Sequence, residues 1–388
     1  MLEPYSSIRD SHSHGDVIVW PLKALNDYLE ATSDLGFLHE SAPWRDDVTL
    51  QRTARADPIA AHVDKLLATI RDRFIPGTHL MRYGEGDWND SLQPADPALR
   101  ETMASSWTAA LTYQQLVRHA ELLRRAGRSQ TAGALGDLAK KMRDDVNRFL
   151  VRDGTVAGYA IFRPGAAEPE LLLHPSDVRT GLRYSLLPMT RSIIAGLFTP
   201  GQVEHHLRIV RDHLLFADGA RLMDRPVPYH GGVERTFQRA ESAAFFGREI
   251  GLMYVHAHLR YAEAMAILGE SDALWDALLV VNPVGVAQRV DHAALRQRNA
   301  YFSSSDAAFS DRYEATQAWS RVQAGCVPVE GGWRIYSSGP GLYVNLLLRH
   351  ALDEGPSYRF TRRAISGELA GSAGAAWRRW RGSRGDGR

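Results

Sequence analysis

Apolar residues recur at three- and four-residue intervals through most of the chain, which predicts one helix after another. Over residues 17–33, Trp20, Leu22, Leu25, Tyr28 and Leu29 fall near one helical face. Residues 39–57 are polar and read as loop, holding Pro43-Trp44-Arg45-Asp46-Asp47. A second helix is expected over 59–74, stopped by Pro76-Gly77. A long third covers 100–123 with Trp107, Leu111, Tyr113 and Leu116, and a fourth follows Gly127 over 130–150.

Residues 151–180 break that rhythm. A short strand is expected over 156–162, and His174-Pro175-Ser176-Asp177 reads as a turn before the apolar segment 182–197. Pro200, after Thr199, suits the first turn of the next helix. Residues 218–226 and 229–232 read as loop, and 248–257 as helix. A final apolar helix should run to about His350 after Gly331-Gly332-Trp333-Arg334-Ile335-Tyr336-Ser337-Ser338-Gly339-Pro340-Gly341. Beyond it the chain turns to Gly, Ala and Arg. The expected layout is a mainly α catalytic domain over 1–352 and a disordered, low-complexity tail over 353–388.

Composition narrows the function classes. Basic and acidic residues number 46 and 45, so charge gives no reason to expect a nucleic-acid partner. Cys326 is the single cysteine, which excludes an intramolecular disulfide and a Cys-rich metal site. His12 and His14 are spaced for a metal only weakly, with no third ligand in view, so no metal is expected. The first ten residues lack an apolar signal region, and no apolar run reaches the roughly 18 residues a membrane span needs. A cytoplasmic protein is expected.

The stretch with most chemistry is Tyr83-Gly84-Glu85-Gly86-Asp87-Trp88-Asn89-Asp90-Ser91-Leu92. An indole between two carboxylates suits a sugar, stacking on the pyranose while an acid serves the glycosidic oxygen. The alternative is an Asx-rich loop whose side chains only hold turns. Asp16, before the first helix, reads as an N-cap. Glu249 and His256 would share a helical face two turns apart, or be a satisfied Glu and a core His. Hydroxyls and amides at Ser337, Ser338 and Gly339 form an anion site or a plain cap.

The Gly-Asp-Trp-Asn-Asp string resembles the inverting disaccharide phosphorylases, the cellobiose phosphorylase family of glycoside hydrolases (family 94). The resemblance implies that Asp90 is the general acid, with Asp87 and Trp88 in the pocket of the transferred glucosyl unit. Ser91 stands where that family often has Gly, which touches the loop's backbone freedom. Arg9 and Asp16 resemble its sugar-binding Arg and Asp. Arg248, Glu249 and Gly251 resemble a Lys-Glu-Asn-Gly-Gly segment, implying that Arg248 and Glu249 hold acceptor hydroxyls. Leu252 replaces the second Gly there. His256, Ser337, Ser338 and Gly339 are implied to bind phosphate.

The Ser303-Ser304-Ser305-Asp306 and Trp333–Gly341 strings look most like β-1,2-oligoglucan phosphorylases and the phosphorylase-like region of cyclic β-1,2-glucan synthases. The implied fold is an (α/α)6 toroid. That family's N-terminal sandwich and early barrel helices have no counterpart in this sequence, so an incomplete, N-terminally truncated barrel is expected. The implied activity is phosphorolysis of β-1,2-linked gluco-oligosaccharides, with inorganic phosphate as co-substrate and no other cofactor. The alternatives are an inverting β-glucan hydrolase, with Glu249 as second carboxylate, or an inactive, binding remnant of a synthase. The expected partners are oligosaccharide and phosphate, with a homodimer or a missing N-terminal half possible, and membrane association if the chain belongs to a larger synthase.

Overall fold

A computed structural model describes residues 14–49, 51–243, 250–282, 289–293, 302–331 and 338–351. The tail expected over 353–388 lies outside them, as do Arg9, Arg248, Glu249 and Ser337.

Helices dominate, in the order α1 (Val19–Thr32), α2 (Ile59–Asp72), α3 (Leu99–Thr102), α4 (Ser106–Arg125), α5 (Ser129–Asp145), α6 (Leu186–Ile194), α7 (Pro200–Ile209), α8 (Gln238–Ser242), α9 (Val255–Leu268), α10 (Ser271–Val280), α11 (Arg312–Gln317), α12 (Trp319–Gln323) and α13 (Ser338–Leu346). The mainly α class is as expected. Backbone contacts divide the chain into two units, one of residues up to Leu150 with Tyr159–Pro169, the other of Val151–Gly158 with the residues from Glu170 onward.

In the first unit α1 buries Val19, Leu22, Asn26 and Leu29, and packs on α4. Tyr28, expected on that face, is exposed and donates to Asp34 at 2.9 Å. Asn26 takes its place in the stripe because it is satisfied there: its Nδ2 donates to Gln115 O at 3.1 Å and its Oδ1 meets His119 Nδ1 at 2.9 Å. α4 in turn packs on α5.

Four expectations change. Residues 39–57 are not a loop: Ser41–Arg45 and Arg52–Pro58 pair as an antiparallel hairpin. The helix expected over 100–123 is broken, because the short strand Met103–Ser105 separates α3 from α4. Ser105 caps α4, its Oγ accepting from Thr108 N–H at 3.3 Å. The strand expected over 156–162 is divided, with Thr155–Val156 in the second unit and Tyr159–Ile161 in the first. Finally, α9 starts only at Val255, after the strand Met253–Tyr254, so 248–257 is not one helix.

In the second unit α9 packs against α6, α10 and α13. Thr199 and Gln202 close a reciprocal capping box at the start of α7, with Pro200 in its first turn. Arg221 is fully buried, and its Nη2 donates to both oxygens of Asp218 at 2.9 and 2.7 Å. Ser305, from the serine string, donates to the same carboxylate at 2.6 Å.

Candidate active site

The acid-bearing loop lies between α2 and α3 and is threaded by the first described residues of the chain. Gly15 N–H donates to Tyr83 O at 2.9 Å and to Gly86 O at 2.8 Å. A β-carbon on Gly15 would sit 2.7 Å from Tyr83 O and 2.8 Å from Arg82 O, so only glycine lets the two segments approach this closely. From the other side Tyr83 N–H donates to Met103 O at 2.7 Å and Gly84 N–H to Arg100 O at 2.9 Å. Glu85, the first acid of the string, pairs with Arg100 at 2.8 Å.

Through Asp87-Trp88-Asn89-Asp90 burial alternates. Asp87 and Asn89 are buried; Trp88 and Asp90 are partly exposed. The indole and the last carboxylate of the string are thus its two partly exposed side chains, at a bend and at the start of a 3₁₀ turn. The Asx-turn reading holds for Asp87, whose Oδ1 accepts from Asn89 N–H at 2.9 Å. Its Oδ2 accepts from Ser105 Oγ at 2.6 Å. Asp90 opens a short 3₁₀ turn, Asp90–Leu92, closed by Leu92 N–H on Asn89 O at 3.0 Å. Ser91 is not among the residues at positive φ, so the turn does not demand the glycine usual in the family.

Trp88 stacks on Trp107 with ring centroids 6.3 Å apart, and Trp107 meets Trp20 at 5.9 Å. Asp16 is not the cap of α1, whose N-cap is Ile18 without a side-chain bond. Its Oδ2 instead accepts from Trp20 Nε1 at 2.9 Å. Burial pushes the Asp16 carboxyl up to about 6, against hydrogen bonds from Trp20 and from the backbone of Asp16 and Trp88. Burial, and then repulsion from Asp16, pushes Asp87 up to about 7, against the pull of Ser105, the Asn89 amide and His14. Two buried carboxylates therefore hold successive amides of the loop. Perturbed acids clustered beside a partly exposed carboxylate are a mark of functional sites.

Ser105, Gly15 and Trp20 complete this arrangement; the sequence pattern placed Trp20 only on the face of the first helix and did not single out the other two. The one available signal was Ser105-Ser106 ahead of Trp107, a capping pattern hidden inside an apparently continuous helix.

The phosphate candidates belong to the second unit. His256 lies in the first turn of α9 and is buried. Burial, then Arg260, pushes it down to about 3, so it is neutral and offers a hydrogen bond rather than a charge. The two-turn spacing of Glu249 and His256 on one helix does not occur, since α9 begins one residue before His256. Leu252, in the second-glycine position, adopts φ 61° with its side chain fully buried. This chain thus keeps the left-handed turn that glycine favours and carries its strain, typically about 1–3 kcal/mol. α13 begins at Ser338, with Gly339 buried in its first turn; the Ser338 side chain lies outside the description. Among the described residues no group of three or more His, Cys, Asp or Glu is placed to hold a metal ion, and His14 meets Gln93 Nε2 at 3.2 Å.

The family described as Glycosyl hydrolase 94 superfamily, catalytic domain, matches residues 6–324, and the chain belongs to it. Within it, the chain is 46% identical over 353 residues to the 1,2-beta-oligoglucan phosphorylase of Listeria innocua serovar 6a, covering 91% of this chain and 32% of that protein. It is 32% identical over 140 residues to the solabiose phosphorylase of Paenibacillus borealis, covering 36% of this chain and 17% of that one. The chain thus spans about a third or less of the curated relatives it matches. The crystal structure of PssZ from Listeria monocytogenes superposes with a TM-score of 0.44 at 8% identity, over 93% of this chain and 80% of that chain.

Proposed function

We propose that this chain carries the acid-bearing part of an inverting phosphorylase that splits β-1,2-linked gluco-oligosaccharides with inorganic phosphate and releases glucose 1-phosphate. Family membership and the similarity to a 1,2-beta-oligoglucan phosphorylase support the substrate and reaction class. The observation that carries the proposal is the alternation of burial at 87–90, which leaves Trp88 and Asp90 partly exposed on a loop where the buried Asp87 is held by Asn89 N–H and Ser105.

In this reading Asp90 protonates the glycosidic oxygen as phosphate attacks the anomeric carbon from the opposite face. Phosphate is already anionic near neutrality, so no general base is needed, whereas an inverting hydrolase needs a second carboxylate to activate water. Trp88 stacks on the transferred glucosyl ring, and Arg9 and Asp16 serve its hydroxyls. Arg248 and Glu249 hold the acceptor. Neutral His256 and the Ser337–Gly339 turn meet phosphate by hydrogen bonds at a helix start. The (α/α)6 toroid is the frame proposed for these residues. No helix among the described residues is long and apolar enough to cross a membrane. A released sugar phosphate is charged and retained behind a membrane, which supports a cytoplasmic reaction.

The test is to incubate the 388-residue chain with β-1,2-linked gluco-oligosaccharides, with and without phosphate, and to analyse the products. Glucose 1-phosphate formed only with phosphate is the expected result. Free reducing sugar released at the same rate in both would replace phosphorolysis by hydrolysis, and no product in either would leave a binding remnant.

A further inference from the structure

Asp87 sits three residues before Asp90, yet its carboxylate is committed inside the protein. It is 2% exposed, one oxygen accepts from Asn89 N–H at 2.9 Å, and the other accepts from Ser105 Oγ at 2.6 Å. Ser105 is itself fixed in two ways. It pairs with Tyr159 in an antiparallel strand pair, and it is the N-cap of α4, its Oγ accepting from Thr108 N–H at 3.3 Å. A hydroxyl has one proton to give. With a lone pair directed to the start of α4, Ser105 gives that proton to Asp87. A continuous path then runs from the 20-residue helix α4 through Ser105 and Asp87 to the Asn89 amide, one peptide before the acid.

We infer that Asp87, oriented by Ser105, is a positioning residue that sets where Asp90 presents its proton and does not itself bind the sugar. The inference rests on the phosphorolysis reading above. Its physical basis is that proton transfer needs hydrogen-bond reach, and a displacement of about 1 Å at a reacting group can cost about 10²-fold in rate. The buried Asp87 carboxylate is pushed up by burial, so the hydrogen bond from Ser105 also helps hold its charge.

Two phosphate-dependent donors separate positioning from binding: a β-1,2-linked gluco-oligosaccharide, whose leaving alcohol needs a proton, and a dinitrophenyl β-glucoside, whose leaving phenolate does not. Ser105→Ala in the full chain should lower kcat on the oligosaccharide about 10–100-fold, leave KM within about threefold, and change aryl glucoside turnover less than about threefold. Ser105→Thr keeps hydroxyl and cap and should restore oligosaccharide turnover. Asp87→Asn keeps shape and lets Ser105 reverse its bond, so it should show the same donor selectivity with a smaller loss. Equal losses on both donors, or a rise in KM as the main effect, would give Asp87 a sugar-binding or merely structural role and overturn the inference alone. A wild-type chain silent on both donors would overturn the phosphorolysis reading and this inference with it.

Discussion

The buried acids around the first unit's loop and two buried histidines of the second respond to burial in opposite directions. The first hides the carboxylates Asp16 and Asp87 around its acid loop, and both are pushed up, to about 6 and about 7. The second hides histidines that stay neutral. His206 Nδ1–H donates to Gln202 O at 2.7 Å while its Nε2 accepts from Val156 N–H at 3.0 Å. His258 Nε2–H donates to Ala277 O at 2.8 Å while Nδ1 accepts from Ala220 N–H at 2.9 Å. Each imidazole has one nitrogen giving and one receiving, so protonation would break a backbone bond. Burial pushes both down to about 4. The lesson is that burial of a polar group does not by itself mark a site. The histidines are satisfied scaffold, whereas the carboxylates repel one another beside a partly exposed acid and a partly exposed indole.

The largest expected stability effect lies in the second unit. Arg221→Leu would strand the buried Asp218 carboxylate and should cost about 3–5 kcal/mol in urea unfolding. Adding Asp218→Leu should recover most of it, because the uncompensated charge is then gone. A double variant as weak as the single one would mean that the pair's packing, not its charge balance, holds this region.

Next comes pH, where the two sets have opposite signs. The raised carboxyls of Asp16 and Asp87 contribute stability that is fully present below about 4 and is lost as pH rises through about 6–7. The depressed histidines His206 and His258 contribute stability present above about 6.5 and lost as pH falls through about 4, on the order of 3 kcal/mol each. Measured from pH 4 to 8, Asp87→Asn should gain melting temperature over the wild type as pH rises to about 7. His258→Gln should gain as pH falls below about 6. Parallel pH curves for wild type and both variants would contradict the contrast.

A smaller effect is expected at Gly15. Gly15→Ala forces a β-carbon onto Tyr83 O and should cost about 1–3 kcal/mol, read as a lower urea midpoint. An unchanged midpoint would mean that the segment around Asp16 is not clamped to the loop.

The regular elements were legible where an apolar stripe was available to read. α1 and α2 fall within two residues of their expected limits, and the Thr199-Pro200 start of α7 is where the capping signals put it. The hairpin at 41–58 was not legible because it lacks an apolar face. It is held by backbone pairing, by Trp44 stacked on His62 at 3.8 Å, and by Trp44 Nε1 on Asp57 at 2.7 Å. At the site, the residue types of 83–92 announced chemistry, but which side chains are buried and which stay partly exposed needs the backbone. Ser105 was hidden because helical spacing continues across it, although the chain is extended there. The Leu252 turn was uncertain for the opposite reason: the residue type argues against a left-handed conformation that the surrounding packing imposes.

The central claim is that Asp90 supplies the proton, and the ratio of two rates tests it. Asp90→Asn keeps the shape of the side chain and removes its proton. With phosphate present, turnover of a β-1,2-linked gluco-oligosaccharide should fall about 10²–10⁴-fold. Turnover of a dinitrophenyl β-glucoside, whose leaving group departs unprotonated, should fall less than about tenfold. Near-wild-type turnover of the oligosaccharide by Asp90→Asn would contradict the account, and the acid would have to be sought elsewhere in the chain.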